Sequence, residues 1–492
     1  MKNRALLRYS VAILLGLPSF GQVFGSLTGS IQDPSGAAVP GAEIQLFLAG
    51  GVSPVITGKT NTEGLFRITA IRPETYKLRI EATGFNEFVQ PGLVIAPARE
   101  TSLPPLKLEL GAVAQRVDVT TVIESVQTSN VEVANTVTMT QVAQLPVINR
   151  SALSLIGTQA GVLTSGSDST TINGQRTTFS NVTLNGVNIQ DNFIRTGSLD
   201  FLPNLLLMGQ VAEVTVSSSN MDASQSAASA VTFLTPSGGN TYHGEVYWSN
   251  RNNVVAANTW FNNQSGVKLP FLNQNQLGGS VNGAIIKDKW FFFVNYEAFR
   301  LRQTSSVTTT IPTADARNGI YTYRDLTGAV QKVNLLTAAG ASINPTVAPI
   351  LAKVPTPDKI NTYNVGDSSA ALARNTGGYM FLTRYNRTRD NVTGTTDYVL
   401  SMKHNFNATF SWNRDILDRV DSSIFNDYSL VPKVSNDDTA KLFTMAWRWA
   451  PTPTLTNELR GGLNFAPAVF ATSEQFPSSI IDGFVWNNPL NT

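Results

Sequence analysis

NQNQLGGSVNGAIIKDKWFFFVNYEAFR, residues 273–300, contains the clearest structural pattern in the chain. Its first half, residues 275–286, has the length of a β-strand, and the polar segment KDK at 287–289 forms a tight turn. Side chains of a strand point alternately to opposite faces, so one face of the second half is apolar and aromatic. That face carries Trp290, Phe292, Val294 and Tyr296. The stretch therefore predicts an antiparallel hairpin with one apolar face.

The same alternation recurs from residue 241 onwards and predicts seven strands. Two of them are the runs 275–286 and 393–403, and the third strand is the second half of the hairpin above. In the other four strands the outward-facing positions are predicted to be Tyr242, Gly244, Val246, Trp248, Ala408, Phe410, Trp412, Phe443, Met445, Trp447, Trp449, Leu455, Leu459 and Leu463. Strands of this length with aromatic ends are typical of a membrane β-barrel.

The connections between these strands alternate strictly between short turns and long loops. The short ones are predicted at 287–289, 404–407 and 451–454, and the long ones at 252–274, 303–391 and 417–439. Outer-membrane barrels have short periplasmic turns and long outer loops, whereas a soluble β-sandwich predicts no such asymmetry. We therefore predict that residues 241–492 are strands of an antiparallel transmembrane β-barrel.

Composition narrows the functional classes. Charged residues are 14% of the chain, and 36 basic and 34 acidic residues are mixed along it without a basic block, so nucleic-acid binding is not expected. The chain has no cysteine and two distant histidines, His243 and His404. No thiolate ligand is thus available, and neither histidine has a cluster of carboxylates beside it, so we expect no metal, no cofactor, no catalytic residue and no enzymatic activity.

Residues 1–25 have the pattern of an export signal. Lys2, Arg4 and Arg8 precede an apolar stretch at residues 11–17, and small residues follow near position 20. The alternative is a membrane anchor, but the apolar stretch is about half of the ~20 residues that a spanning helix needs. We predict cleavage of this segment and export of the mature chain.

Residues 26–110 are predicted to form a β-sandwich of seven strands. Short alternating runs are separated by turn residues in LTGSIQDPSGAAVPGAEIQLFL (27–48), GKTNTEGLFRITAI (58–71) and ETYKLRIEATGF (74–85). This order resembles the carboxypeptidase-regulatory-like domain, whose fold is carbohydrate-binding-like and immunoglobulin-like. The resemblance makes a sugar ligand one option. The aromatic residues Phe47, Phe66, Tyr76 and Phe85 are more simply predicted to be core residues.

Residues 111–140 are polar, rich in β-branched residues and suited to an extended linker. From resemblance to TonB-dependent receptors, this linker is the expected place of the TonB box, the segment that adds as a strand to an inner-membrane energy-coupling protein. The candidate box is Val117, Asp118, Val119, Thr120 and Thr121. An ordinary strand or linker is the alternative.

Residues 141–240 resemble the α+β plug domain of the same receptors. The resemblance rests on QLPVINRSALSLIGTQAGV (144–162) and on TINGQRTTFSNVTLNGVNIQD (171–191). It assigns plug motifs to Leu145, Pro146, Arg150, Asn173, Gly174, Arg176, Asn185 and Gly186. The receptors usually carry Asp-Gly at the last pair, but Asn-Gly also adopts the positive φ angles of a tight hairpin turn.

The hairpin at 273–300, together with PSGGNTYHGEVYWSNRN at 236–252, resembles the opening of the barrel in Oar-like TonB-dependent receptors. The resemblance implies a mostly β protein of the outer membrane, surrounded by lipid, with its sandwich and plug on the periplasmic side. It also implies a TonB-type inner-membrane partner and import of a bulky ligand, an oligosaccharide being one candidate. The alternative is a non-transporting surface protein for adhesion or cell-cell signalling.

Two further expectations follow. The loop residues Trp260, Phe261, Tyr321 and Tyr323 could stack on a sugar, although exposed aromatics also anchor loops to each other. Because transporters of this architecture use ~22 strands, seven strands cannot close a plugged barrel. We therefore expect the chain to be the front portion of a longer protein.

Overall fold

In the computed structural model, the described residues are 25–48, 50–95, 100–111, 116–118, 133–137, 141, 150–164, 170–176, 179–190, 204, 206–220, 227–345, 347–367, 374–419, 428, 431–432, 434–452, 455–467, 469–472, 479–481 and 484–486. The predicted export signal, apart from its last residue, lies outside them. Three β-rich units follow each other along the chain. None of the helices in these ranges is long and apolar enough to cross a bilayer.

The first unit is the predicted sandwich. Its strands are β1 (Gly25–Gln32), β2 (Glu43–Leu48), β3 (Ile56–Lys59), β4 (Leu65–Ile71), β5 (Thr75–Glu81), β6 (Glu87–Val94), β7 (Glu100–Ser102), β8 (Leu106–Lys107) and β9 (Arg116–Asp118). One sheet has the order β4-β1-β7 with β8 also on β1, and the other has the order β3-β2-β5-β6-β9. The predicted count of seven strands was too low. Two short strands, β7 and β8, run parallel to β1, and such two- or three-residue pairings leave little periodicity in a sequence.

The core of the sandwich lies between these two sheets. Fully buried side chains come from alternate positions of the strands, as period-two patterning predicts: Leu27, Ile31, Ile44, Leu46, Leu78 and Ile80. Phe47, on the opposite side of β2 from Leu46, is also buried, and the ammonium group of Lys77 lies over its ring at 4.6 Å. The predicted core aromatics Phe66 and Tyr76 are buried as well.

The second unit, called here the middle domain, contains β10 (Val133–Val137), β11 (Val162–Thr164), β12 (Thr170–Ile172), β13 (Ser180–Leu184), β14 (Val187–Asn188), β15 (Glu213–Ser219) and β16 (Ser229–Leu234). A five-stranded sheet has the order β10-β15-β16-β13-β14, and β11 pairs with β12. Short 3-10 helices span Ala152–Thr158 and Met208–Gln210. The core is the buried side of this sheet, with Val182, Leu184, Val214, Val231 and Phe233 fully covered.

The third unit contains the large sheet. The strands of this unit are β17 (His243–Asn252), β18 (Leu272–Ile286), β19 (Trp290–Pro312), β20 (Ile320–Arg324), β21 (Val330–Asn334), β22 (Thr376–Arg384), β23 (Arg387–Ser401), β24 (His404–Asp418), β25 (Val434–Thr452), β26 (Leu455–Phe465), β27 (Phe470–Thr472), β28 (Ser479–Ile481) and β29 (Phe484–Trp486). Two of the pairs, β20–β21 and β28–β29, are separate two-stranded sheets. The order β17-β18-β19-β23-β24-β25-β26 is a meander of antiparallel neighbours. These seven strands are the seven predicted ones, and the mostly β fold class is confirmed.

The two faces of the large sheet differ in the way the alternation predicts. On β25 the side chain of Met445 is 52% exposed and that of the adjacent Thr444 is 1% exposed. The same holds for the hairpin that opens the sheet, where Trp290, Val294 and Tyr296 are exposed while Phe291, Phe293 and Asn295 are covered. One face is therefore apolar and open, and the other is covered and largely polar.

Three predicted connections were placed wrongly. The loop expected at 417–439 ends earlier, because β25 already begins at Val434. Residues 404–407 were expected to form a turn, but they begin β24, which starts at His404 directly after β23 ends at Ser401. The loop expected at 303–391 is shorter, because β19 continues to Pro312 and pairs there with β22. The remaining loop holds the hairpin β20–β21 and short helices at Ala314–Arg317, Leu335–Ala338, Val347–Lys353 and Pro357–Lys359. The loop between β17 and β18 holds a 3-10 turn at Asn253–Val255 and a helix at Trp260–Gln264.

Candidate functional site

The middle domain lies against the covered face of the large sheet, and an ion pair joins them. Arg150 has a φ of 48°, in the left-handed region, at the end of the segment that leads into the first 3-10 helix. Its Nε donates to Oε1 of Glu297 on β19 at 3.1 Å, and its guanidinium lies 4.1 Å from the ring centre of Tyr247 on β17. The carboxylate of Glu297 is 2% exposed and also accepts from the backbone N–H of Gly209 at 3.3 Å.

A second contact is made by Gln210, a fully buried residue at the end of the helix Met208–Gln210. Its Oε1 accepts from the backbone N–H of Leu207 at 2.9 Å, which fixes the amide orientation. Its Nε2 donates to Thr393 Oγ1 on β23 at 2.5 Å and to Ser411 Oγ on β24 at 2.9 Å. All polar atoms of this side chain therefore form hydrogen bonds, and two of these bonds cross the interface.

A third contact starts from the two-residue turn between β13 and β14. Asn185 and Gly186 have φ angles of 49° and 80°, which is the geometry that an Asn-Gly hairpin turn adopts. The Asn185 amide donates to Thr235 Oγ1 at 2.8 Å and to Thr409 Oγ1 on β24 at 2.9 Å. Arg460 of β26 donates to the carbonyl oxygen of Asn185.

Among the described residues, the other ones assigned to plug motifs take no part in these three contacts. Asn173 and Gly174, with φ angles of 50° and 66°, form the turn that directly follows β12, and the Asn173 amide donates to the carbonyl of Ser218 within the middle domain. Arg176 is exposed. Leu145 and Pro146 lie outside the described residues.

The candidate TonB box is described in part. Val117 and Asp118 belong to β9, which adds in parallel register to β6 of the sandwich, with Val117 opposite Phe88. Val119, Thr120 and Thr121 lie outside the described residues. The backbone of the described part is thus in the extended form that strand addition requires.

The four aromatic loop residues form two separate pairs. Trp260 and Phe261 pack edge to face with ring centres 5.1 Å apart, in the β17–β18 loop. Tyr321 and Tyr323 lie on one face of β20 with nearly parallel rings 6.3 Å apart, and they are 49% and 40% exposed. Gln331 lies opposite Tyr323 on β21, and its Nε2 donates to Asp325 at 2.9 Å.

Sequence reasoning missed Asp397, a buried carboxylate near the end of β23. It accepts from Arg72 of the sandwich at 3.2 Å, from Ser237 at the start of the third unit, and from Asn407 of β24 at 2.7 Å. Asp397 is a polar residue on the covered face of a strand. The alternation of the two faces along β23 was the only sequence signal that could have pointed to it. Its partners could not be identified, since they come from three separate parts of the chain.

A cavity of about 360 Å³ lies between the three units. Its walls include Glu74 from the sandwich, Glu213 from the middle domain, and Asn282 and Thr395 from the large sheet. Burial, and then the charge of Glu74, raises the pKa of the Glu213 carboxyl to about 7. Burial likewise raises the pKa of Glu74. Among the described residues, no three histidine or acidic side chains are grouped so that they could hold a metal ion.

Comparison with solved structures gives matches of low similarity. A mutant of the ferric enterobactin receptor of Pseudomonas aeruginosa matches with 11% identity and a TM-score of 0.39, over 64% of this chain and 38% of that one. The outer membrane transporter YddB of Escherichia coli matches with 12% identity and a TM-score of 0.43, over 67% and 38%. The siderophore receptor PirA of Acinetobacter baumannii matches with 12% identity and a TM-score of 0.33, over 68% and 48%. The match thus spans less than half the length of these proteins.

Comparison with protein families gives two matches, while the comparison with curated proteins gives none. Residues 26–109 match the carboxypeptidase regulatory-like domain, the family expected for the sandwich. Residues 234–490 match the outer membrane beta barrel domain, and this range is more than half of the chain. The protein therefore belongs to the outer membrane β-barrel domain family.

Proposed function

We propose that the protein is a TonB-dependent receptor that imports a bulky ligand through the outer membrane, with the middle domain as the plug of its barrel. The observation that carries this proposal is the polar attachment of the middle domain to the covered face of the barrel wall. Arg150, Gln210 and Asn185 each bond to the wall, and their partners lie on β19, β23 and β24.

A polar attachment suits a part that has to move. A neutral hydrogen bond contributes only about 0.5–1.5 kcal/mol net, and one to a charged group such as Glu297 about 1.5–3 kcal/mol, because water can take the place of either partner. A plug held by such bonds can be pulled away into a water-filled lumen at moderate cost. An interface built only of packed apolar side chains would instead expose its whole area to water.

The work for this movement would come from an inner-membrane energy-coupling complex of the TonB type, pulling on residues 111–140. The candidate box, Val117 to Thr121, supplies backbone donors and acceptors for strand addition to that partner. Val119→Pro removes a backbone N–H and fixes φ, so it should abolish ligand accumulation while Val119→Thr leaves it intact. Unchanged accumulation in the proline variant would remove this segment as the box.

The proposed topology follows from the same assignment. The segment 1–25 would direct export, and the sandwich and plug would face the periplasm. The short turn at 287–289 would lie at the periplasmic rim, with the loops 313–375 and 253–271 on the outer side. Antibody access on intact cells to an epitope inserted after Gly328, but not after Gly36, tests this orientation.

An oligosaccharide is the ligand class that we propose. Tyr321 and Tyr323 offer two aligned rings, and aromatic faces pack well on the apolar faces of sugars. Gln331 lies beside them, and its Nε2 donates to Asp325. This hydrogen bond fixes the orientation of the Gln331 amide and therefore of its carbonyl oxygen. A ring pair with an oriented amide is suited to a polar ligand that has an apolar face.

The import function is tested with fluorescein-labelled xylo-, malto- and chito-oligosaccharides on cells that carry the chromosomal gene. We expect at least one of the three to accumulate in the periplasm, and a protonophore or Val119→Pro to stop it. Equal accumulation of all three in a strain that lacks the gene would contradict import of this ligand class.

A non-transporting surface receptor for adhesion or signalling is the second candidate. The observation in its favour is the exposed hairpin β20–β21, where Leu326 is fully exposed beside the two tyrosines. Exposed apolar side chains that lie together in one patch, rather than singly, mark contact surfaces. A gene deletion that removes attachment to a surface, with growth on every oligosaccharide unchanged, would favour this candidate over import.

A further inference from the structure

The sandwich is fastened to the wall of the barrel at the end that carries the short turns. Phe291, at the start of β19, is fully buried and belongs to the same apolar core cluster as the sandwich residues Leu46 and Leu78. Ala284 of β18 belongs to it too. The guanidinium of Arg72 lies 6.0 Å from the centre of the Phe291 ring. Two side chains of the barrel therefore join a core that otherwise consists of the sandwich's own residues.

The polar centre of this junction is Asp397, whose carboxylate is 5% exposed. It is held by Arg72 from the sandwich and by Ser237 and Asn407 from the third unit. If Arg72 withdraws, the carboxylate keeps two donors and gains water. The ion pair can thus open without leaving an isolated buried charge, which is the usual obstacle to opening such a pair.

A sandwich loop also presses against the rim of the barrel. Asn240 and Asp288 exchange two hydrogen bonds at 2.9 and 2.8 Å, which ties the start of β17 to the short turn. A methyl group on Gly51 would lie 2.8 Å from Asp288 Oδ1, and one on Gly50 would lie 3.8 Å from Cβ of Asn240. There is no room for a side chain at Gly51.

The sandwich also forms one wall of the cavity that borders the middle domain. The 360 Å³ cavity is bounded by Arg72, Glu74 and Thr75 of the sandwich on one side and by Glu213 of the middle domain on another. If the middle domain is the plug, moving it opens the lumen towards this cavity. The sandwich would still close the far side.

We propose that the N-terminal sandwich is a second closure of the barrel, latched by Arg72 on Asp397, which has to swing away before an imported ligand reaches the periplasm. This inference rests on the import function proposed above. It assigns the sandwich a mechanical role at the rim, in addition to any role in ligand binding.

The closure can be locked by a disulfide, because the chain has no cysteine of its own. Cβ atoms joined by a disulfide are ~3.8 Å apart on average, which matches the distance between position 50 and Asn240. Gly50 has a φ of 68°, so the single variants Gly50→Cys and Asn240→Cys control for strain and for the lost Asn240 bonds. The variants are made at the chromosomal gene.

The oxidised double variant should bind the labelled oligosaccharides at the cell surface like the parent but fail to accumulate them, and a reductant should restore accumulation. Normal accumulation with the cross-link complete would overturn the closure and leave the import function standing. Failure of the parent itself to exceed a strain without the gene would overturn both.

A ligand-free measurement tests the latch by itself. Asn240 is buried, so the Cys of Asn240→Cys should react slowly with a charged maleimide. Adding Arg72→Gln should raise the labelling rate severalfold, because the sandwich would leave the rim. Adding Arg67→Gln, which breaks a pair with Glu100 inside the sandwich, should not. Equal rates in the two double variants would overturn the latch.

Discussion

Arg150 and Glu297 are 147 positions apart in the sequence and form an ion pair with 3.1 Å between Nε and Oε1. The carboxylate is almost completely buried and also accepts from the N–H of Gly209. One residue of the barrel wall thus holds the middle domain at two places. Weakening the ion pair should weaken the attachment of the middle domain to the barrel wall without disturbing the strand pairing around Glu297.

Glu297→Gln should make the middle domain open more easily. The change leaves the Arg150 charge without its partner and weakens the acceptor of the Gly209 N–H, which costs on the order of 1–3 kcal/mol. Amide hydrogen exchange of residues 206–220 measures this local opening. Glu245→Gln, at an exposed position of β17, is the matched control, and similar exchange in both variants would contradict the prediction.

Gln210 should be energetically coupled to Ser411. A double-mutant cycle of Gln210→Leu and Ser411→Ala should give a coupling free energy of about 1 kcal/mol, because each single change removes the same hydrogen bond. The control cycle pairs Gln210→Leu with Thr396→Val, whose hydroxyl contacts Trp290 and the carbonyl of Phe291 instead. Amide exchange of residues 206–220 is again the measurement, and a coupling no larger than in the control cycle would refute the contact.

Stability of the middle domain should fall as the pH rises. Burial raises the pKa of Glu213 from 4.5 to about 7, so the folded state binds a proton that the unfolded state has lost between these two values. Between these two pH values the folded state binds more protons than the unfolded state. The free energy of unfolding therefore decreases as the pH rises through this window, by on the order of 1–3 kcal/mol. Below the lower value both states are protonated and the dependence ends.

Glu213→Gln should remove this dependence and stabilise the middle domain above neutral pH. Urea titrations at a series of pH values, followed by exchange of the amides in β15 and β16, measure the effect. The control is Glu63→Gln, at an exposed turn of the sandwich, which should behave as the parent does. A parent whose midpoint is constant from about pH 5 to about pH 8 would show that Glu213 is not held in its neutral form.

Tyr323 should contribute to oligosaccharide binding on the cell surface. Loss of one stacking ring removes about 0.5–1.5 kcal/mol, so Tyr323→Ala should weaken binding of the labelled oligosaccharides roughly three- to tenfold. Tyr323→Phe keeps the ring and should bind like the parent. Tyr363→Ala removes a tyrosine of similar exposure that lies against Arg374, and it serves as the control. Equal binding in the two alanine variants would exclude the ring pair as a contact site.

The sequence predicted the strands of the large sheet well where one face is apolar. Trp290, Val294 and Tyr296 alternate with covered residues in the structure as in the prediction. The end of β19 was missed because residues 304–310 are all Thr, Ser or Val, and both faces there are partly exposed. A strand solvated on both sides carries no periodic signal, so its length was decided by pairing with β22, which sequence reasoning could not see.

The candidate site was predictable only in its local geometry. Asn185 and Gly186 have positive φ angles that their residue types favour, and this property depends on neighbours in sequence. The contacts of Gln210 with Thr393 and Ser411 join residues 183 and 201 positions apart. Such contacts depend on how the units pack, and a single sequence holds no record of that packing.

The membrane function proposed for the protein requires that hydrocarbon touches the exposed face of the large sheet. Met445→Cys and Thr444→Cys, made singly in this cysteine-free chain and spin-labelled in lipid bilayers, test it on adjacent residues of β25. Oxygen concentrates in lipid. It should therefore enhance the relaxation of the spin label at position 445 much more than a water-soluble nickel chelate does. At position 444 the ratio of the relaxation by oxygen to the relaxation by the nickel chelate should be far lower. Equal ratios, or a higher ratio at 444, would contradict the membrane assignment of the sheet.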